Sequence, residues 1–257
     1  MFPPFLVKSF VAGIIASFAC GLGALLLLIR GVDPEKHTGI AYAAAGGLMF
    51  AASVYNLILP GLSLASTEIT LDQAIPVITG ILLGALFLSQ VNRYLSPERM
   101  ENSSWKRFGN KAQILIFVAM FIHSIPEGVA VGVGYSSETV YSNNLGDYIA
   151  LAIALHNIPE GLAVAVPLRA TGSSINRCYW MAFLTSLPQP IAAIPAAYIS
   201  WLFKPLMPLL MGFAAGAMIF LIILELIPES LNVTSPLKAA WSFTIGFCGM
   251  ILIQLVL

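Results

Sequence analysis

Apolar residues in this chain gather into long runs rather than into stripes of period two or 3.6. Eight runs rich in Leu, Ile, Val, Phe, Ala and Gly lie at about 5–29, 39–60, 74–94, 112–134, 148–168, 178–202, 206–227 and 237–257. About 20 apolar residues in a helix cross the hydrocarbon layer of a bilayer. Inside that layer only a segment that satisfies its own backbone hydrogen bonds is stable. The pattern predicts an all-α membrane protein of eight transmembrane helices, organised as a single transmembrane domain over residues 1–257. The first run, Phe5 to Leu28, exceeds the roughly 7–15 apolar residues of a signal-peptide core and is read as the first span. The links are short; only Leu95 to Asn110 is polar and charged enough to be a substantial loop.

Composition agrees. The chain is 58% hydrophobic and 9% charged, more apolar surface than a soluble domain of 257 residues can hide. Its formal net charge of zero gives no reason to expect a nucleic acid or an acidic partner. Cys20, Cys178 and Cys248 are scattered without CxxC spacing and read as small apolar helix residues.

The basic residues predict an orientation. Arg30, Lys36, Arg93, Arg99, Lys106, Arg107, Lys111, Arg169, Arg177 and Lys238 flank the links after spans one, three, five and seven, whereas Lys8 and Lys204 fall on the other side. Basic residues accumulate in cytoplasmic links, so both termini are expected on the non-cytoplasmic side, in a plasma or inner membrane. The links on that side carry Glu68, Asp72, Glu138 and Asp147, a mildly acidic face.

Candidate chemistry is concentrated in spans four and five. His123-Ser-Ile-Pro-Glu127-Gly128 and His156-Asn-Ile-Pro-Glu160-Gly161 are near-copies 33 residues apart. Ionisable groups at membrane depth are costly and default to function. Residues four apart share a helix face, so His123 and Glu127, and likewise His156 and Glu160, can converge on one ion. Imidazole nitrogen and carboxylate oxygen are ligands that Zn²⁺ accepts, and two carboxylates neutralise one divalent cation, offsetting the cost of burying either sign. Pro126 and Pro159 each leave a carbonyl without its helical N–H, those of Ile122 and Leu155, beside a candidate ligand. Gly128-Val-Ala-Val-Gly132, echoed by Gly161 and Ala165, is a small-residue pattern expected to bring spans four and five close together.

Other polar residues within spans carry weaker signals. Ser124 and Asn157 follow the two histidines, and Gln189 lies between Pro188 and Pro190; each is a candidate secondary metal ligand or an interhelical hydrogen bond. Ser53 and Asn56 read as packing or path-lining groups. Glu225 is a candidate exit ligand, Glu229 an interfacial charge, and His37 a solvated link residue. Spans four and five are consecutive and therefore antiparallel, yet share a motif. Ala44-Ala-Gly46 to Phe50 in span two faintly matches Ala214-Ala-Gly216 to Phe220 in the oppositely directed span seven. Inverted repeats are characteristic of alternating-access carriers.

These residues resemble the ZIP family of divalent-metal transporters, in particular its GufA-like branch. The likeness spans essentially the whole chain, and the two H-[SN]-I-P-E-G motifs carry it. Ala44 to Ser53, Gly212 to Phe220 and Glu225-Leu-Ile-Pro-Glu229 support it. The resemblance implies a ZIP-type bundle of eight helices with both termini outside, and Zn²⁺ or a similar ion moving toward the cytoplasm. It implies a metal site of His123, Glu127, His156 and Glu160, with Ser124, Asn157 and Gln189 where many relatives build a second site. Ser stands there for the frequent Asn, and Gln for the frequent Glu. Leu224 replaces a frequent carboxylate or His near the inner exit, and the family's His-rich loop is absent.

The expected function is transport of divalent transition-metal cations, most strongly Zn²⁺, through the His/Glu site of spans four and five. A carrier preferring Fe²⁺ or Mn²⁺, a proton-coupled exporter and an intramembrane metalloenzyme remain alternatives. No prosthetic cofactor is expected; Zn²⁺, Fe²⁺, Mn²⁺ or Cd²⁺ is cargo. The expected partners are the metal ion and the lipid bilayer, with a homodimer allowed and no nucleic acid.

Overall fold

Eight helices long and apolar enough to cross a membrane account for almost all of the computed structural model, which describes residues 3–29, 34–63, 70–94, 111–141 and 144–256. They are α1 (Pro4–Leu28), α2 (Thr38–Ser63), α3 (Leu71–Tyr94), α4 (Phe117–Val140), α5 (Leu145–Ala170), α6 (Ile175–Leu202), α7 (Lys204–Val233) and α8 (Pro236–Leu255). The loop expected at 95–110 and the Glu68 link lie outside the described residues.

Local signals set several helix ends. Ser174 Oγ accepts from the Arg177 N–H at 3.3 Å and caps α6. Gly172, at φ +86°, ends α5: its N–H reaches the Arg169 carbonyl at 2.9 Å and the next N–H reaches Leu168 at 3.2 Å. The helix containing α4 runs from Lys111 to Tyr141, about two turns beyond the apolar run ending near 134. Its extension carries Ser136, Ser137, Glu138 and Thr139, polar residues that a hydropathy reading leaves out. They find internal partners: Ser136 Oγ lies 2.6 Å from Ser200 Oγ, and Glu138 Oε1 accepts from the Gly146 N–H at 3.0 Å.

α6 is two helices, Ile175–Thr185 and Pro188–Leu202. Proline at 188 and 190 cannot donate to the preceding turn, so the ladder is interrupted at Ser186 and Leu187. Neighbouring hydroxyls serve the freed carbonyls. Ser124 Oγ donates to Thr185 O at 3.0 Å, and Ser17 Oγ donates to Ser186 O at 2.9 Å.

Extensive helix pairings form between α3 and α7, α4 and α6, α2 and α8, and α1 and α5. Glycine sits at each crossing. A Cβ at Gly212 would meet the Val77 carbonyl, one at Gly132 the Ala193 carbonyl, one at Gly246 the Ala44 carbonyl and one at Gly161 the Cys20 carbonyl. The small residues expected to draw α4 and α5 together therefore admit different neighbours: Gly128 and Gly132 admit α6, and Gly161 admits α1. The physical reason is that each motif helix has several faces, and spacing along one helix does not say which partner fills it.

Exchanging α1 with α6, α2 with α7, α3 with α8 and α4 with α5 converts these four pairings into one another. The faint repeat of spans two and seven also has a structural counterpart. Each contains one π-helical turn just past its Ala-Ala-Gly segment, Ser53–Ile58 in α2 and Ile222–Leu226 in α7. Such turns insert an extra residue and occur frequently at functional sites. The bundle divides into two groups, α1/α4/α5/α6 and α2/α3/α7/α8, which meet mainly where α4 packs on α7 and α5 on α2.

Candidate metal site

Glu127 on α4 and His156 and Glu160 on the antiparallel α5 point into the same interior space. One ligand atom from each lies within 4.8 Å of the other two. The four-residue spacing puts His156 and Glu160 on one face of α5, as the sequence requires. Glu127 is 1% exposed, His156 1% and Glu160 6%, so none is a solvated surface charge. His156 Nε2 is 3.1 Å from Glu127 Oε1. Ligand atoms about 2.1 Å from a tetrahedral Zn²⁺ stand about 3.4 Å apart, so this pair already has the required spacing.

Buried atoms without partners mark the same place. Among the described residues, His156 Nδ1, Glu160 Oε1 and Asn157 Oδ1 are buried without a hydrogen-bond partner. Burying an unpaired carboxylate or carbonyl oxygen is costly, and a cation removes that cost. Two carboxylates and a divalent ion together carry no net charge.

An amide relay orients Glu127. Asn157 Nδ2 donates to the Ala16 carbonyl at 3.0 Å and to Gln189 Oε1 at 3.1 Å, and Gln189 Nε2 donates to Glu127 Oε2. A main-chain carbonyl only accepts, which fixes the Asn157 amide. Gln189 must then present its N–H to the carboxylate. One Glu127 oxygen is thus held by Gln189 and the other faces His156. Asn157 keeps its Oδ1 available to an ion, whereas the Ser124 hydroxyl is engaged with Met120 O at 3.1 Å and Thr185 O at 3.0 Å.

His123 is also buried, but its Nε2 lies 3.4 Å from Glu225 Oε1 on α7. Its Nδ1 has no partner among the described residues. Glu225 is 30% exposed at its side chain, and Glu229, one turn further along, is exposed. A polar line therefore leaves the cluster through His123 and Glu225. The opposite side is closed by Leu57, Val131, Ile149, Ile153 and Met218, all buried. The role of Glu225 as partner of His123 depends on an α4–α7 contact that no local spacing announces. The side chain of His37 lies outside the described residues.

A buried carboxylate–imidazole cluster on paired helices, inside an eight-helix bundle with internal inverted symmetry, defines an integral membrane protein of the metal-carrier class. The family model described as ZIP Zinc transporter matches residues 96–254. The chain is 34% identical over 224 residues to the zinc transporter GufA of Myxococcus xanthus, covering 86% of this chain and 87% of that one. It is 37% identical over 234 residues to a putative zinc transporter of Arabidopsis thaliana, covering 90% of this chain but 36% of the plant protein. It is 40% identical over 151 residues to the human zinc transporter ZIP11, covering 58% of this chain and 43% of that one. The chain belongs to the ZIP family of metal transporters. It is a transporter rather than the intramembrane metalloenzyme that the same ligands allow in principle.

Proposed function

We propose that the protein, acting as one transmembrane domain, carries divalent transition-metal ions, Zn²⁺ foremost, toward the cytoplasm through the space between α4 and α5. The observation that carries this reading is the buried Glu127–His156–Glu160 cluster, whose ligand atoms lie within 4.8 Å of one another. Zinc is favoured because the donor set suits it and because the relatives above are named zinc transporters. Imidazole and carboxylate also accept Fe²⁺, Mn²⁺ and Cd²⁺, so these compete as cargo.

The bias of basic residues favours both termini outside. In that orientation the His123–Glu225 line faces the cytoplasm and the apolar closure faces outward. Alternating access then follows from rigid-body displacement of α1/α4/α5/α6 against α2/α3/α7/α8, with the ion held mainly by the first group. Asn157 serves as a further ligand through Oδ1, while Ser124 and Gln189 act chiefly by hydrogen bonding. His123 receives the ion on its way to Glu225. A homodimer is compatible with the broadly exposed apolar faces of α3 and α8.

The test is uptake by cells expressing the protein, with ⁶⁵Zn²⁺ as tracer and Fe²⁺, Mn²⁺ and Cd²⁺ as competitors. Saturable Zn²⁺ uptake, blocked least by Mn²⁺, is expected. Uptake of Fe²⁺ or Mn²⁺ that Zn²⁺ fails to inhibit would overturn the assignment of cargo.

A further inference from the structure

Asn56 is the one polar residue lining a small cavity between α2, α4, α5 and α7. The other lining residues are Ala52 and Leu57, Ala130, Ile149, Ala152, Ile153 and Met218. Ala130 follows Glu127 by three residues, and Ala152 and Ile153 precede His156 by four and three. The cavity thus adjoins the metal cluster about one helical turn away, on the side opposite His123 and Glu225. Its volume is about 10 Å³, room for one water molecule at most. Its walls come from both helix groups, so it lies on the seam that must part for an ion to arrive from that side.

Asn56 is 3% exposed and sits on the π-helical turn Ser53–Ile58 of α2. Its Oδ1 accepts from Gln254 Nε2 on α8, and its Nδ2 has no partner among the described residues. An unpaired amide group in an otherwise apolar chamber is costly, and an aliphatic side chain would close the chamber without that cost. Both side chains are primary amides. A half-turn of each preserves their hydrogen bond with donor and acceptor exchanged, and puts Asn56 Oδ1 in the unpartnered position that Nδ2 now holds.

We propose that Asn56 is a transit ligand for the divalent cation on the entry side of the cluster, held by Gln254 and presenting its amide oxygen when the two helix groups separate. This rests on the transport reading above. An uncharged oxygen suits the role: it binds an ion or its hydration water well enough to draw it between Leu57 and Ile153, and weakly enough to release it to the carboxylates. Gln254 is then a positioning residue.

The test uses the full chain reconstituted in liposomes, with Zn²⁺ influx and equilibrium Zn²⁺ binding measured on wild type, Asn56→Leu, Asn56→Asp and Glu160→Ala. Asn56→Leu is expected to lower kcat/KM for influx about tenfold, the effect of removing one polar partner from a dry passage, while leaving Zn²⁺ affinity at the cluster unchanged. Asn56→Asp, which keeps an oxygen, is expected to restore influx. Wild-type influx in Asn56→Leu, or equal impairment of Asn56→Leu and Asn56→Asp, would overturn the proposal while leaving the transport reading intact. Zn²⁺ influx no faster than in protein-free liposomes for wild type would instead remove the transport reading, and wild-type influx in Glu160→Ala would remove the cluster as its site. Should Asn56→Leu fail to fold, Asn56→Ser against Asn56→Ala replaces it. Greater influx with Ser supports the proposal, and equal influx overturns it.

Discussion

His156 Nε2 lies 3.1 Å from Glu127 Oε1, joining two antiparallel helices that carry copies of one motif. A divalent cation held between them would gain Glu160, whose carboxylate lies within 4.8 Å of both, as a third ligand. Replacing His156 or Glu160 by Ala should therefore reduce metal uptake to background while the protein still reaches the membrane, measured as tracer uptake against surface abundance.

Gln189 holds the second oxygen of Glu127, and Asn157 holds Gln189. Gln189→Leu leaves a buried carboxylate oxygen and an amide N–H unpaired, a loss of about 1–3 kcal/mol. Zn²⁺ affinity is expected to fall roughly tenfold or more, with folding retained. Isothermal titration on the purified variant checks this; unchanged affinity would show that the relay does not orient Glu127.

His123 contacts Glu225 rather than joining the three-residue cluster. His123→Ala should accordingly lower the maximal rate of transport more than it weakens equilibrium binding, because it removes a step on the path and spares the cluster. Kinetics and binding measured on the same preparation separate the two. A collapse of binding equal to that of Glu160→Ala would place His123 in the cluster itself.

A methyl group at Gly161 would land on the Cys20 carbonyl, whereas one at Gly249 would meet nothing within 4 Å. Gly161→Ala should separate α1 from α5 and destabilise the detergent-solubilised protein by at least about 1–3 kcal/mol, read as a lowered thermal midpoint. Gly249→Ala should leave the midpoint unchanged or slightly raised.

The span pattern was legible because the bilayer demands about 20 apolar residues per crossing, but the polar ends of α4 and of α7, which continues past 227 to Val233, escaped it. Ser136 and Glu138 find partners on α6 and α5 that a hydropathy run cannot foresee. The carboxylate–imidazole cluster was legible in outline because the i, i+4 spacing of His156 and Glu160 is a local property. Which atoms meet across helices was not. Glu225 reaches His123, Gln189 turns its amide toward Glu127, and Gly161 admits α1, and each depends on the order in which helices pack. The π turns at Ser53–Ile58 and Ile222–Leu226 leave no period in the sequence beyond the faint Ala-Ala-Gly repeat before them.

Transport through the Glu127–His156–Glu160 cluster is tested most directly by Zn²⁺ influx into dye-loaded proteoliposomes, comparing wild type with the Glu127→Ala/Glu160→Ala double variant at matched reconstitution. Saturable influx in wild type and none in the folded double variant is the expected result. Equal influx in both would show that ions cross the protein by another route and contradict the cluster as the transport site.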